Sequence, residues 1–289
     1  MAFVTYRCYG FDTEPSGGSL EPRFFKAERM GGEKIPEKGS GRYRAIVSDA
    51  VWHLVDIASG ADPLDSFHRA LEEARMKGEG EDAEAMVQWI KGTDDGSIVN
   101  ICRLCMYECG GLITGRAMDP GTAMIPQIRE MAERGGRFLE KHGPKTASDF
   151  SFGQGYADDL ASDPWVFTTE DALWVLDASP SLTKNTAMSA LVHYLVGRRF
   201  SPEIGAVKRL GVYNPRLDTA YTMPVSDVPR EVMASVESEY IEAALSYQRP
   251  TRPESPSTTI VKAIGKIVLW LILIGIGFLG VLIILACLQ

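Results

Sequence analysis

The chain has 289 residues, of which 45% are hydrophobic and 24% are charged, and its formal net charge is -8. This composition is typical of a globular protein and excludes a disordered chain, a fibrous protein and a disulfide scaffold. Residues 1–247 contain 26 of the 30 basic and 37 of the 38 acidic side chains, which gives this body a net charge of about -11. Nucleic acid is therefore a disfavoured partner, because its recognition needs a basic surface.

The first half of the chain predicts helices. Residues 15–41 are rich in glycine, glutamate and proline, so residues 1–42 are expected to form a poorly structured segment with a short strand. Further on, apolar residues recur three and four positions apart, and Asp62-Pro63 is a typical helix start. The expected helices cover residues 43–58, 62–76, 82–91, 94–109 and 119–136, the last one ending at Gly135-Gly136 or a little past them.

Three cysteines in this half form the pattern C-x2-C-x3-C at Cys102, Cys105 and Cys109. At this spacing all three lie on one face of a helix, among the apolar neighbours of a buried element. Zinc needs a fourth ligand, which a second cysteine or histidine pair usually provides. The four histidines are scattered singly, at His53, His68, His142 and His193. Core cysteines are the favoured interpretation, and a metal site is the alternative.

The second half of the chain predicts strands as well as helices. The expected elements are a hairpin at 165–167 and 172–176, a helix at 184–199, a hairpin at 206–213 and 219–225, and a helix at about 227–247. The sequence therefore predicts an α/β (α+β) fold, in which a helical N-terminal half precedes a mixed sheet of hairpins covered by helices.

The order of hairpin, helix and strand pair, with the phrases DALWVLDAS, SALVHYLVG and RLGVYNPRLDTAYTMPVSDVP, resembles bacterial proteins with a PD-(D/E)XK, restriction-endonuclease-like core. The resemblance covers about residues 136–247 and extends more faintly back to residue 43. It implies an acid at one strand of the hairpin and (Asp/Glu)-x-Lys on the next strand. In that superfamily the two acids hold Mg²⁺, and the lysine steadies the attacking water or the phosphate.

The chain departs from that pattern at the positions that catalysis requires. The acid and lysine positions of (Asp/Glu)-x-Lys are Val175 and Asp177, and the nearest upstream acid is Asp163. The resemblance therefore implies a degenerate site, with no catalytic residue, no metal and no cofactor expected. The alternative is a displaced site in which Asp163 and Asp177 bind Mg²⁺, while Lys184 or Ser179 takes the lysine's role.

A proline-rich tether at 248–262 and an anchor segment at 263–289 follow the body. A membrane helix needs about 20 apolar residues, and residues 267–288 provide 22 without a charge. Lys262 and Lys266 precede this run, so the positive-inside rule places the body in the cytoplasm. The G-x-G-x-x-G pattern inside the run is not interpreted as a dinucleotide site, because such sites lie in water after a strand.

Taken as a whole, the sequence predicts a single-pass, tail-anchored membrane protein. Its cytoplasmic, nuclease-like domain is expected to be catalytically inactive and to act as a binding or regulatory module. The expected partners are the lipid bilayer and an unidentified protein. The alternative function is an active Mg²⁺-dependent nuclease or phosphodiesterase at the membrane, which uses the displaced pair of acids.

Overall fold

The computed structural model describes residues 2–3, 14–37, 43–108, 123–152, 160–163 and 165–242. The chain divides into two units, Met1–Ser246 and Tyr247–Gln289. The predicted tether, the apolar run, Lys262 and Lys266 lie outside the described residues. Within the described ranges, no helix has both the length and the apolar composition that crossing a bilayer requires.

The helices of the first half follow the apolar pattern of the sequence. They are α1 (Arg44–Ala58), α2 (Pro63–Ser66), α3 (His68–Met76), α4 (Gly80–Gln88), α5 (Asp95–Glu108) and α6 (Ile125–His142). The predicted cap is confirmed, because the Asp62 carboxylate accepts a hydrogen bond from the backbone N–H of Leu64 at 2.7 Å. The sequence predicts a single helix at 62–76, and this prediction is wrong, because the helix breaks at Phe67. The ring of Phe67 is buried, and its centroid lies 4.1 Å from that of the His53 ring.

Helix α6 continues to His142, six residues beyond Gly135-Gly136, where the sequence predicts its end or a little further. A Cβ atom on Gly135 would lie 2.3 Å from the Val55 side chain, so glycine here permits α6 to pack closely against α1. The residue that follows the helix is Gly143, whose φ of 97° suits glycine. The expected start at Asp119-Pro120 and the position of Cys109 lie outside the described residues.

Within the described chain, six strands form one mixed sheet in the order β2-β8-β7-β6-β5-β3. These strands are β2 (Lys26–Arg29), β3 (Ala147–Ser148), β5 (Val166–Thr168), β6 (Ala172–Leu176), β7 (Arg209–Asn214) and β8 (Thr219–Pro224). A separate parallel pair joins β1 (Ala2–Phe3) to β4 (Leu160–Ala161). The predicted hairpins β5-β6 and β7-β8 are confirmed as antiparallel pairs, whereas β6 and β7 are parallel.

Strand β2 lies in the N-terminal segment, where the sequence predicts little regular structure apart from a short strand. Its exposed residues carry no apolar alternation, and its place in the sheet comes from antiparallel pairing with β8. A short 3₁₀ helix at Pro22–Phe24 precedes it. Apart from β1, the other described residues before α1 form turns and irregular chain.

The sequence predicts a mixed sheet covered by helices, and in the structure helices pack on both of its faces. The second-half helices are α7 (Lys184–Phe200), α8 (Pro202–Gly205) and α9 (Arg230–Val236), with a 3₁₀ helix at Val225–Asp227 and a π-helical turn at Glu237–Ile241. Along β6, Trp174 and Leu176 face the core of the first-half helices, and Leu173 and Val175 face the core around α7. The sheet thus separates two buried layers, and the candidate site residues lie in both.

Candidate functional site

Asp163 lies just before β5 and is buried against α7. Its backbone N–H donates to Nε2 of His193 at 3.2 Å, and its Oδ2 atom lies 3.0 Å from the same nitrogen. The Nδ1 atom of His193 is 2.8 Å from the carbonyl oxygen of Ser189, so Nδ1 carries a proton. Nε2 can accept the Asp163 N–H or, when it carries a second proton, donate to Oδ2, but it cannot do both, and without that second proton Oδ2 has no hydrogen-bond partner among the described residues. Asp163 is therefore held by a histidine of the neighbouring helix.

Asp177 follows β6 and organises the turn that leads into α7. Its Oδ1 atom accepts hydrogen bonds from the Ser179 backbone N–H at 2.9 Å and from the Ser179 hydroxyl at 2.5 Å. Its Oδ2 atom accepts from the hydroxyl of Thr186 at 2.6 Å. Both oxygens of this carboxylate thus have local donors, which is the pattern of a turn-capping residue. Ser179, the other candidate for the lysine's role, is one of those donors.

Lys184, the first residue of α7, lies at the surface. Its Nζ atom pairs with Oε1 of Glu14 at 3.0 Å, and hydrogen bonding from Lys184 lowers the pKa of the Glu14 carboxyl. The acid position of the nuclease pattern, Val175, is buried in the apolar core around α7. Neither residue contacts Asp163 or Asp177 through any hydrogen bond or ion pair of the described chain.

The two carboxylates contact α7 at separate points. Their partners, Thr186 and His193, are seven residues apart in that helix. At a rise of ~1.5 Å per residue, this separation is ~10 Å along the helix axis. A Mg²⁺ or Ca²⁺ ion that binds two carboxylates needs an oxygen atom of each within about 2.0–2.6 Å. The structure therefore holds Asp163, Asp177 and Lys184 with three different sets of partners.

A second buried polar cluster lies in the helical layer and includes His53, which is an isolated histidine in the sequence. His53 of α1 contacts Oε2 of Glu108, at the end of α5, through Nε2 at 2.9 Å. Its other nitrogen, Nδ1, is 2.9 Å from the hydroxyl of Ser66, at the end of α2. The side chains of His53 and Glu108 are 3% and 2% exposed, so this pair is removed from solvent.

The cluster continues toward the surface through Ser66. The Ser66 hydroxyl lies 3.1 Å from Oδ2 of Asp56, whose other oxygen pairs with Nζ of Lys145. Lys145 also lies over the ring of Trp52, 5.7 Å from its centroid. A continuous chain of polar contacts therefore runs from buried Glu108 to half-buried Lys145. We name this set the His53 cluster; its members are His53, Asp56, Ser66, Glu108 and Lys145.

A cavity of about 260 Å³ opens beside the His53 cluster. All five members of the cluster border it, and Asp149 lies on its rim. Arg69 forms its inner wall, where it pairs with Asp149 and donates to the carbonyl oxygen of Ser162 at 2.8 Å. Burial lowers the pKa of Arg69, and the nearby charges of Glu108 and Asp163 oppose that shift. The cavity is thus polar, and it is large enough for a small ligand or several water molecules.

The described cysteines lie on the buried side of α5. Cys102 and Cys105 are both fully buried, and burial raises the pKa of the Cys102 thiol to about 12. The sulfur of Cys105 belongs to a group with His53 and Glu108, whose ligand atoms all lie within 4.8 Å of one another. Cys102 is not part of that group. Of the two described cysteines only Cys105 belongs to this group, and Cys109 lies outside the described residues.

Comparison with protein families, with curated proteins and with solved structures finds no match for this chain. Its function is therefore inferred from its own residues and their geometry.

Proposed function

We propose that this protein is a membrane-anchored binding or regulatory module whose nuclease-like body does not cleave nucleic acid. The order of the elements supports the nuclease-like part of this proposal. A hairpin (β5-β6) is followed by α7, and β7 then returns parallel to β6 and pairs with β8. This is the order of hairpin, helix and strand pair on which the sequence resemblance depends.

The separate partners of Asp163 and Asp177 are the observation that carries the proposal. Mg²⁺-dependent phosphoryl chemistry needs carboxylates that converge on the ion and a cation near the attacking water. Here one carboxylate lies beside His193, which also accepts the backbone N–H of Asp163, while Ser179 and Thr186 donate to the other carboxylate and Lys184 pairs elsewhere. Converting this arrangement into a metal site would require both acids to leave their present partners.

The charge of the body favours a protein as the partner. Its net charge of about -11 repels a polyphosphate backbone over the distances at which electrostatic steering acts. A binding surface for another protein has no such requirement, since interfaces between proteins are mostly of mixed polarity. We therefore propose a protein partner at the membrane surface.

The membrane part of the proposal depends on the sequence. The charge-free run at 267–288 has the length of a membrane helix. Lys262 and Lys266 before the run favour a cytoplasmic body. The proline-rich tether at 248–262 would let the body reach a partner some distance from the bilayer.

The proposal is tested by a nuclease assay on the full-length chain in detergent micelles. The substrates are single- and double-stranded DNA and RNA, with Mg²⁺ or Mn²⁺ present, and we expect no cleavage above a protein-free control. The matched variants are Asp163→Asn, Asp177→Asn and, at an exposed position, Asp227→Asn. Cleavage that is lost in the first two variants but kept in the third would establish the alternative, an active Mg²⁺-dependent nuclease.

A further inference from the structure

We propose that His53, Cys105 and Glu108 form a binding site for one divalent transition-metal ion of the zinc class. The site lies in the helical layer and is independent of the proposed function. Its three residues come from two neighbouring helices, α1 and α5, and all three are buried. Cys105 and Glu108 are three positions apart on α5, so their side chains lie on the same face of the helix.

The separations of the ligand atoms are close to those of a coordinated ion. One nitrogen, one sulfur and one carboxylate oxygen lie within 4.8 Å of one another. Around a tetrahedral Zn²⁺, such atoms are ~3.4–3.6 Å apart, given metal–ligand distances of about 2.0–2.3 Å. The Nε2–Oε2 distance of 2.9 Å would lengthen by about half an ångström. Rotations of these side chains supply movements of that size.

The chemistry of the donor set selects the class of metal. Thiolate and imidazole ligands favour Zn²⁺, Co²⁺ and related ions, whereas Mg²⁺ and Ca²⁺ prefer an all-oxygen shell. Three protein ligands leave a fourth position open, as in catalytic zinc sites. His53 and Glu108 both border the cavity of about 260 Å³, so water or a small ligand could reach that position.

The rest of the His53 cluster orients the histidine for this role. Metal-bound histidines usually donate their second ring N–H to an acceptor that fixes the ring. Here Nδ1 lies 2.9 Å from the Ser66 hydroxyl, and Asp56 can accept the proton of that hydroxyl at 3.1 Å. Lys145 holds Asp56 in turn. This direction of donation leaves the lone pair of Nε2 for the metal.

Metal binding also accounts for the pairing of a histidine with a buried carboxylate. A carboxylate removed from water is costly unless a positive charge or several donors compensate it. The ion would take the place of the proton between Nε2 and Oε2 and of the thiol proton of Cys105. Both protons would pass to solvent, and the ion would bind the resulting anionic ligands.

The test is a titration of the chelator-treated, full-length protein in micelles with Co²⁺, followed by optical absorption. We expect one Co²⁺ per chain, with a thiolate-to-cobalt charge-transfer band and tetrahedral d–d bands that Zn²⁺ removes by competition. Cys105→Ser, His53→Gln and Glu108→Gln should each weaken binding at least about tenfold. Cys102→Ser is the matched control, because this thiol is equally buried on the same helix and is expected to leave the spectrum unchanged.

X-ray absorption of the zinc-loaded wild type keeps the proposal testable if a variant fails to fold. We expect a shell with one sulfur and the rest nitrogen or oxygen. A shell with two or three sulfurs would overturn the proposal in favour of the cysteine face suggested by the sequence. Absence of stoichiometric Co²⁺ binding would overturn it as well.

Discussion

The pairing of His193 with Asp163 gives a stability prediction of definite size. Replacing His193 by leucine removes the ring that accepts the Asp163 N–H at 3.2 Å and lies 3.0 Å from its carboxylate. The Asp163 side chain is 3% exposed, so it would remain buried with its charge and without that partner. Loss of the acceptor of a buried N–H costs about 1–3 kcal/mol, and removal of one partner from a buried ion pair costs about 3–5 kcal/mol.

The lower end of that range is expected, because the charge of Arg69 stays near Asp163. A loss of about 3 kcal/mol lowers the Tm by roughly 6–12 °C in a domain of this size, at about 2–4 °C per kcal/mol. Asp163→Asn alone should cost about 1 kcal/mol, the value of one hydrogen bond. In the double variant no charge is left buried, so its loss should be smaller than the sum by about 2 kcal/mol.

The measurement is denaturant unfolding of the four proteins that make up this double-mutant cycle, followed by circular dichroism. Additive losses, within about 0.5 kcal/mol, would show that His193 does not hold Asp163. A second outcome also refutes the reasoning. Asp163→Asn could raise the Tm and abolish a Mg²⁺-induced increase in Tm that the wild type shows. Asp163 would then be a metal ligand whose charge destabilises the metal-free protein.

Three further predictions concern the core, the pH response and the membrane anchor. Gly211→Ala should destabilise the protein by about 1–3 kcal/mol in urea unfolding, because the new Cβ would lie 2.2 Å from the buried ring of Trp174; Gly136→Ala, inside α6 and with nothing within 4 Å, is the control and should stabilise the protein by about 0.5–1 kcal/mol. Burial lowers the pKa of His142 below 6.5, so its neutral form stabilises the fold above that pH, and this contribution is lost as the pH falls through the lowered pKa. His142→Phe should therefore flatten the decline of Tm in acid, and an unchanged decline would refute this assignment. Deletion of residues 267–288 should move the protein from the membrane fraction to the soluble fraction of lysed cells, and retention in the membrane would contradict the anchor.

Local pattern was sufficient to predict most of the elements. The apolar spacing at 43–58 corresponds to α1, and the Asp62-Pro63 signal corresponds to a real cap, because both depend on neighbours in the sequence. The continuation of α6 past Gly135 depends instead on Val55, eighty residues earlier in the chain. Strand β2 likewise depends on its pairing with β8. Contacts between segments that are far apart in the chain produce no periodic pattern in the sequence, either around Gly135 or in β2.

The candidate sites show the same limit. Asp163 and Asp177 could be selected as acids from the sequence, but their partners on α7 could not, since His193 and Thr186 belong to an ordinary amphipathic helix. The His53 cluster collects residues from α1, α2, α5 and the segment before β3, so its members are isolated in the sequence. The one local signal was the spacing of Cys105 and Glu108, which places a thiol and a carboxylate on the same face of α5.

The proposal that the body does not cleave nucleic acid is tested most directly by a search for a metal ion at Asp163 and Asp177. Crystals of the protein grown with Mn²⁺ would give an anomalous difference map, in which the ion is identified by its own scattering. We expect no peak within coordination distance of both Asp163 and Asp177, and the Asp163–His193 and Asp177–Thr186 contacts should persist. A peak that both carboxylates coordinate, with either contact broken, would contradict the proposed function.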